Sequence, residues 1–510
     1  MATALVVALV VCAFAVALIR IAYPLPALDR RSESTAFLPD KEGPIGRFAQ
    51  PLVKQHPEQS GIYPLLDGKE ALAARILLAR SARRSIDAQY YIWHDDLSGR
   101  ALFSAVAEAA DRGVRVRLLL DDNTTSGMDS LLAALDGHRN IEVRLFNPFM
   151  QRSARILGYV SDFFRLNRRM HNKSFTVDNQ ATIIGGRNIG DEYFGVSRVL
   201  SFVDTDVLAV GSAAQDVSRQ FDQYWGSKSS YPASVIFPKG VAGSLNDLAL
   251  RVRQDSNSEL AIRYRAAVED TKLVDQLERG SLSLEWASVR LFYDDAGKGL
   301  GETKAKVLIQ DLAASTEPPI NSLDVISAYF VPGPAGNAYF SDQARRGIRV
   351  RILTNSQQAT DVLPVHAGYI KYRRALLAAG VELAELKSMP AITSPKPGMF
   401  ATATSSLHSK IMIFDRKRIF IGSFNFDPRS AWLNCELGML IESSTIARDI
   451  AERVDRAGPY TYRPRIGSDD QIRWSDSELA AREWNEEPGT SRASRIGVKS
   501  LALLPIEWLL

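Results

Sequence analysis

The sequence predicts an α/β protein built from two homologous halves that share one site between them. Three observations lead there: a polar signature occurs twice, the strand-helix-strand order around it occurs twice, and both recur at nearly one offset. The first signature reads His171-Asn172-Lys173-Ser174-Phe175-Thr176-Val177-Asp178 and continues to Gly185-Gly186-Arg187-Asn188. The second reads His408-Ser409-Lys410-Ile411-Met412-Ile413-Phe414-Asp415 and continues to Gly422-Ser423-Phe424-Asn425. In both copies Lys follows His by two positions, Asp by seven, Gly by fourteen and Asn by seventeen, which excludes coincidence. The offset that carries His171 to His408 also carries Ser85-Ile86-Asp87 to Ser322-Leu323-Asp324. Nearby, Arg112-Gly113-Val114-Arg115 returns as Arg346-Gly347-Ile348-Arg349. A repeat of this length is a domain duplication rather than a solenoid unit.

Taken in order, residues 1–25 open with Ala2 to Ile19 free of charge, enough for a membrane-spanning anchor helix. A cleaved signal would carry a basic leader, which is missing, so the anchor is read as uncleaved. Arg20, Arg30 and Arg31 follow the span and point the catalytic portion toward the cytoplasm. Residues 26–59 form a polar linker with Pro39, Pro44 and Pro51. Residues 60–245 are the first domain. Its strand Ile86–Trp93 is followed by a helix over Ala101–Arg112, whose Leu102, Phe103, Val106, Ala109 and Ala110 fall on one stripe and whose stop is Gly113. Strands Val114–Leu120 and Ile141–Phe146 and the motif hairpin complete it. Residues 246–285 connect the halves. Residues 286–466 repeat the plan with strands Val325–Val331, Val350–Leu353 and Val381–Leu386, and with a helix ending at Arg346-Gly347. Strand-helix-strand order implies a largely parallel sheet covered by helices, with a pseudo-twofold axis bringing both motifs to one cleft. Residues 467–510 are a tail whose apolar end, Leu501–Leu510, packs on the sheet or touches lipid.

Composition sets limits. At 510 residues the chain is too long for one ordinary core, and 46% hydrophobic with 24% charged residues is ordinary for a globular protein. A net charge of +4 is small for a nucleic-acid surface of this size, so no nucleic-acid partner is expected. Only Cys12 and Cys435 are present, and Cys12 lies in the apolar run, which argues against an intramolecular disulfide. The six histidines, His56, His94, His138, His171, His366 and His408, show no metal-ligand spacing, so neither metal nor cofactor is expected.

The motif spacing has a chemical meaning. Phe, Val and Ile at this density suggest a strand, on which side chains two apart point the same way. Each His and its Lys therefore face one site, while Asp178 and Asp415, at odd offsets, turn to the other face as structural residues. The glycine pairs permit close backbone approach and bring Asn188 and Asn425 back beside the His-Lys pairs. Two His, two Lys and two Asn with no carboxylate on that face suit a phosphate group. His94 and His366 are read as structural. The segment Arg152–Arg169 mixes five arginines with Leu157, Tyr159, Phe163, Phe164 and Leu166, which suits docking on an anionic bilayer or, equally, a solvated loop with one packed side.

His-x-Lys-x4-Asp followed by Gly-Gly/Ser-x-x-Asn, present twice, resembles the phospholipase D superfamily, whose domains are α/β/α sandwiches. The segments Ser85-Ile86-Asp87-Ala88-Gln89-Tyr90-Tyr91-Ile92-Trp93-His94-Asp95-Asp96, Asp191-Glu192-Tyr193-Phe194 and Leu504-Pro505-Ile506-Glu507-Trp508-Leu509-Leu510 look like its bacterial cardiolipin synthases, the C type most closely. The resemblance implies a phosphatidyl group carried through a phosphohistidine to an acceptor phospholipid such as phosphatidylglycerol. It implies His171 as nucleophile and His408 as acid and base, with the reverse left open by the pseudo-symmetry. Lys173, Lys410, Asn188 and Asn425 would hold phosphate oxygens. An acid downstream of each motif would fix the histidine tautomer: Glu436 in one half, and Asp204 in the other, with Asp206 competing. The family reading is a monomer acting on phospholipids at the bacterial inner membrane. Hydrolysis to phosphatidic acid is the alternative outcome of the same site, and a nuclease is a more distant one.

Overall fold

The computed structural model describes residues 2–29, 31–197, 199–238, 240–278, 281–388, 404–476 and 482–510. Among the described residues, eighteen strands join in one sheet. From one end, Ser230–Pro232 pairs with Ile141–Phe146, then come Arg115–Asp121, Ser85–Tyr90, Ser174–Val177, Ala181–Gly185, Asp206–Gly211 and Ser60–Leu65. Ser60–Leu65 crosses to Glu285–Tyr293, and the second half runs on through Leu437–Glu442, Arg418–Gly422, Lys410–Phe414, Ser322–Ser327, Arg349–Asn355 and Glu382–Leu386. Read from either end, the central order is the same, as an approximate twofold axis produces.

The sheet is mixed rather than largely parallel. Within it, Ser85–Tyr90, Arg115–Asp121 and Ile141–Phe146 run parallel, as do their counterparts in the second half. Each motif hairpin then adds antiparallel strands, because a short turn returns the chain directly beside itself. The strand expected over Ile86–Trp93 ends at Tyr90. Beyond it the Ile92 N–H turns to the Asn188 side chain, at 3.2 Å, and the chain leaves the sheet.

Outer helices cover each half with its own core. Leu102, Phe103 and Val106 of the helix Leu97–Asp111 pack against Ile86, Val116 and Leu118, and Phe340 and Leu376 pack against Val325 and Ile352. The inner sheet faces meet each other. Ile184, Val207 and Ala209 from the first half share a core with Ile411, Ile421 and Met439 from the second. The helix Ser212–Trp225 closes this seam, with Ala213 and Val217 in that core and Phe221, Tyr224 and Trp225 in a smaller one with Met170 and Cys435. This seam packs the two motif-bearing halves against each other.

Segments read as linkers are tied down. In 26–59, Arg31 donates to the Ser227 and Ser230 carbonyls and the helix Pro44–Gln55 buries Ile45 and Ala49. In 246–285, Leu248, Tyr264 and Leu273 join the first core. In the tail, Ile472–Asp476 extends the sheet and the helix Arg492–Ala502 packs on Leu363–Ala378. Ala2–Ala22 is helical, with Arg20 donating to the Ser161 carbonyl at 2.7 Å, yet among the described residues no helix is long and apolar enough to cross a membrane. The side chain of Cys12 and residue Arg30 lie outside the described residues, while Cys435 is buried and free.

The arginine-rich segment folds differently from expectation. Arg152 pairs with Asp122 and Asp129, Arg155 with Asp122, Arg165 with Asp162 and Arg169 with Asp121. These charges turn inward to their acids. The helix Arg155–Leu166 instead exposes Ile156 and Phe164, each 70% exposed, together with Leu157 and Val160. Its outer face is apolar, not basic.

Candidate active site

The motif histidines sit just before their strands. The first hairpin strand begins at Ser174 and the second at Lys410, so His171 and His408 lie on extended chain at the strand ends. Each is held by the other half. The His171 N–H donates to the Cys435 carbonyl at 2.8 Å, and the His408 N–H donates to the Val203 carbonyl at 2.8 Å. This reciprocal stitching places both imidazoles on one cleft of about 570 Å³ at the seam. Tyr91 stands edge-on to His171, and Tyr193 and Phe202 pack on His408.

The acids also cross over. His171 Nδ1 lies 2.9 and 3.1 Å from the Glu436 carboxylate oxygens, and His408 Nδ1 lies 2.5 Å from Asp204 Oδ2. Asp206, the competing acid, instead pairs with buried Arg75 at 2.9 Å. The glycine pairs explain the approach: a Cβ on Gly186 would stand 2.1 Å from Asp204 Oδ1. The equivalent position in the second half is Ser423, whose hydroxyl donates to Glu436 Oε2 at 2.5 Å. The Glu436 N–H donates to Asp294 at 2.8 Å, and Lys298 donates to the same carboxylate.

The two pairs differ electrostatically. Burial pushes the Glu436 carboxyl up to about 7, against the opposing pull of Lys173. Burial would raise Asp204 too, but His408, Lys410 and Arg187 hold it below the usual carboxylate range. Burial and then Lys410 lower His408 to about 4, with Asp204 acting the other way. Burial, then Lys173 and Lys410, lower His171 well below its ordinary value. Burial and the neighbouring lysines thus hold both imidazoles toward the neutral form.

The lysines lie deeper than the strand reading placed them. Lys173 donates to the carbonyl of His171 at 2.7 Å, and Lys410 donates to the carbonyl of His408. Both are buried, and Lys410 Nζ also stands 2.9 Å from His408 Nδ1. Burial lowers Lys173 to about 7 and lowers Lys410 as well. Asn188 and Asn425 do line the cleft. The Asn188 amide donates to the Tyr193 hydroxyl at 2.9 Å, whereas Asn425 Oδ1 is buried without a hydrogen-bond partner among the described residues.

Asp178 and Asp415 stand at the hairpin turns, away from the cleft, with φ of 53° and 54°. The Asp178 carboxylate accepts from the N–H groups of Arg83, Arg84 and Ser85. Asp415 accepts from those of Ile320, Asn321 and Ser322. Each fixes the start of the neighbouring strand, so their place among site residues is structural rather than chemical.

His94 lines the cleft, with Nδ1 3.7 Å from Glu192 Oε1, while His366 is buried away from it beside Glu487 and Arg373. Among the described residues, His94, Asp96 and Glu192 are the one group whose potential ligand atoms all lie within 4.8 Å of one another. Asp96 there accepts from the N–H groups of Gly99 and Asp191, a capping role. Four positions after each motif Asn stand Glu192 and Arg429, both on the wall, so the cleft is charged unequally. Arg429 also donates to the Leu509 carbonyl at 2.9 Å and to Asn167, and Leu509 and Leu510 complete the wall. Sequence reading missed Arg429 and these two leucines; their only signal was nearness to a motif and an apolar end.

Residues 76–225 and 308–457 each match the family described as "Cardiolipin synthase, PLD-like domain". The chain belongs to the phospholipase D-like family. This phospholipase D-like chain is 46% identical over 468 residues, 90% of its own length and 98% of the other's, to cardiolipin synthase C of Escherichia coli K12. It is 27% identical over 396 residues to cardiolipin synthase A of Pseudomonas syringae pv. syringae, covering 77% of this chain and 66% of that one. The solved phosphatidylserine synthase of Haemophilus influenzae Rd KW20 matches with a TM-score of 0.54 at 15% identity, over 82% of this chain and 91% of that one, an agreement of fold.

Proposed function

We propose that the protein is a phosphatidyltransferase that forms cardiolipin through a covalent phosphohistidine. The observation carrying this reading is that both motif histidines face one cleft while a carboxylate from the opposite half holds each Nδ1. With the proton on Nδ1, Nε2 presents its lone pair to the cleft. By the family resemblance His171 is assigned as the nucleophile, and His408, beside an Asp204 held ionised, as the proton carrier.

An anionic phosphodiester entering above Lys173 and Lys410 offsets their repulsion of the imidazoles, so His408 takes up its proton as substrate binds. His171 Nε2 then bonds to phosphorus, the bond to the head-group oxygen breaks, and His408 gives that oxygen its proton. In the second step the acceptor hydroxyl loses its proton to His408. Its oxygen bonds to phosphorus and the phosphorus–His171 bond breaks. The buried lysines and Asn425 stabilise charge on the non-bridging oxygens from beneath.

A membrane setting fits the substrate. The helix Ala2–Ala22, with Val10, Phe14 and Ile21 exposed, adjoins the apolar face of Arg155–Leu166 through Arg20. Together they rest on or in the bilayer beside the cleft, as a monomer with both motifs in one chain. The test is purified protein with phosphatidylglycerol, measuring cardiolipin and phosphatidic acid separately. Cardiolipin as main product supports the reading; phosphatidic acid alone makes the protein a hydrolase, and neither product refutes both.

A further inference from the structure

A second cavity, about 750 Å³, lies in the second half outside the catalytic cleft. Its floor is sheet, with Leu323, Met412 and Phe414; the helices Leu308–Ser315 and Gly333–Arg345 flank it, and Pro428–Trp432 caps one end. Phe340, Phe424 and Phe426 fill its sides. This volume falls in the ordinary range for small-molecule pockets, roughly 300–1,000 Å³.

Two features tie it to the cleft. Asp427 lines both cavities, and the closing turn is shared, with Trp508 on this cavity and Leu509 and Leu510 on the cleft. The mouth opens onto apolar surface: Trp432 and Trp508 are more than half exposed, and Phe163 of the apolar helix contacts Trp508. An apolar cavity that shares the wall residue Asp427 with the phosphate cleft and opens beside an exposed apolar helix suits a molecule with a phosphodiester at one end and a fatty chain at the other.

We propose that this cavity is an acyl-chain pocket, taking one fatty chain of the phospholipid whose phosphate lies in the adjoining cleft. The proposal rests on the phosphatidyltransferase reading and adds the chain-binding subsite to it. Chain length beyond the glycerol backbone then contributes to specificity, because each methylene leaving water improves binding by a factor of about four.

The test uses dihexanoyl and dioctanoyl phosphatidylglycerol as dispersed monomers with the full chain. In the unsubstituted protein kcat/KM for the longer substrate exceeds that for the shorter by roughly tenfold, two methylenes' worth at somewhat below the full transfer value. Ala335→Trp, on the pocket wall, brings the ratio close to one; Ala313→Trp is the second variant if the first does not fold. In parallel, phosphatidylglycerol with a diazirine at its acyl terminus is photolysed with His171→Ala protein. Label on Phe340, Met412 or Phe414 supports the pocket without needing turnover. Label confined elsewhere, or an unchanged chain-length ratio in the filled variant, overturns it. A labelled pocket in a protein that turns over no phosphatidyl substrate leaves the pocket standing and removes the transferase reading. A filled variant that loses self-association and leaves the labelling unchanged assigns the cavity to a second copy and also overturns it.

Discussion

At the residue scale, the cleft works through unequal partners. His408 faces an ionised Asp204, His171 faces a Glu436 raised to about 7, and Lys173 is lowered to about 7. As pH falls below 7, Glu436 gains a proton and loses the charge that strengthens its bond from His171. As pH rises above 7, Lys173 loses the charge that meets phosphate. The kcat/KM profile should therefore peak near neutrality, and kcat should hold further into alkali, because a bound anionic phosphate raises Lys173. A profile flat from about pH 5.5 to 8.5 would show that neither group matters to turnover. His171→Ala and His408→Ala should each lower kcat by at least about 10⁴ with an unchanged unfolding transition. The two histidines were legible from recurrence alone. Which acid serves which histidine was not, since Asp204 and Glu436 each cross the seam, and local spacing carries no record of such contacts.

Elements hold these residues in place. Asp178 accepts from three backbone N–H groups at the head of Ser85–Tyr90, and it is buried. Asp178→Ala strands those donors, at about 1–3 kcal/mol each, so stability should fall by roughly 3 kcal/mol or more. Urea unfolding measures that loss; kcat in the fraction still folded should stay close to normal. Asp178 and Asp415 stand just past their strands at the hairpin turns, so the turn, more than strand parity, sets them away from the histidines. Parity did not reveal that the lysines fold back onto the carbonyls of their own histidines, because it fails where chain leaves the sheet at His171. The arginines before the first motif were misread for a related reason. Composition cannot tell a solvated guanidinium from one paired with Asp121, Asp122 or Asp129. The apolar residues left outside should carry the membrane contact. Ile156→Asp with Phe164→Asp should lower binding to phosphatidylglycerol vesicles about tenfold or more while turnover of a monomeric short-chain substrate persists. Equal losses in both assays would place those residues in folding instead.

For the whole molecule, duplication decides the architecture. Both halves, their order and their strand-helix plan could be read from the sequence, because a repeated motif at a fixed offset leaves few arrangements. The mixed sheet and the Leu509–Leu510 wall could not, since both depend on pairings distant in the chain. The seam predicts that charge on phosphate is met by lysine and asparagine, so activity in detergent micelles should survive EDTA. Loss of turnover on chelation, restored by one metal per chain, would direct attention to His94, Asp96 and Glu192. The central claim is a covalent bond from phosphorus to His171 with His408 supplying protons, and trapping it tests the claim most directly. His408→Ala protein is mixed with a phosphatidyl donor carrying a good leaving group that needs no proton, quenched, and analysed by intact mass and peptide mapping. The account predicts an acid-labile phosphatidyl adduct on His171, absent from His171→Ala. An adduct on His408 in the reciprocal variant alone would reverse the roles. Turnover in the unsubstituted protein with no adduct in any variant would contradict the mechanism.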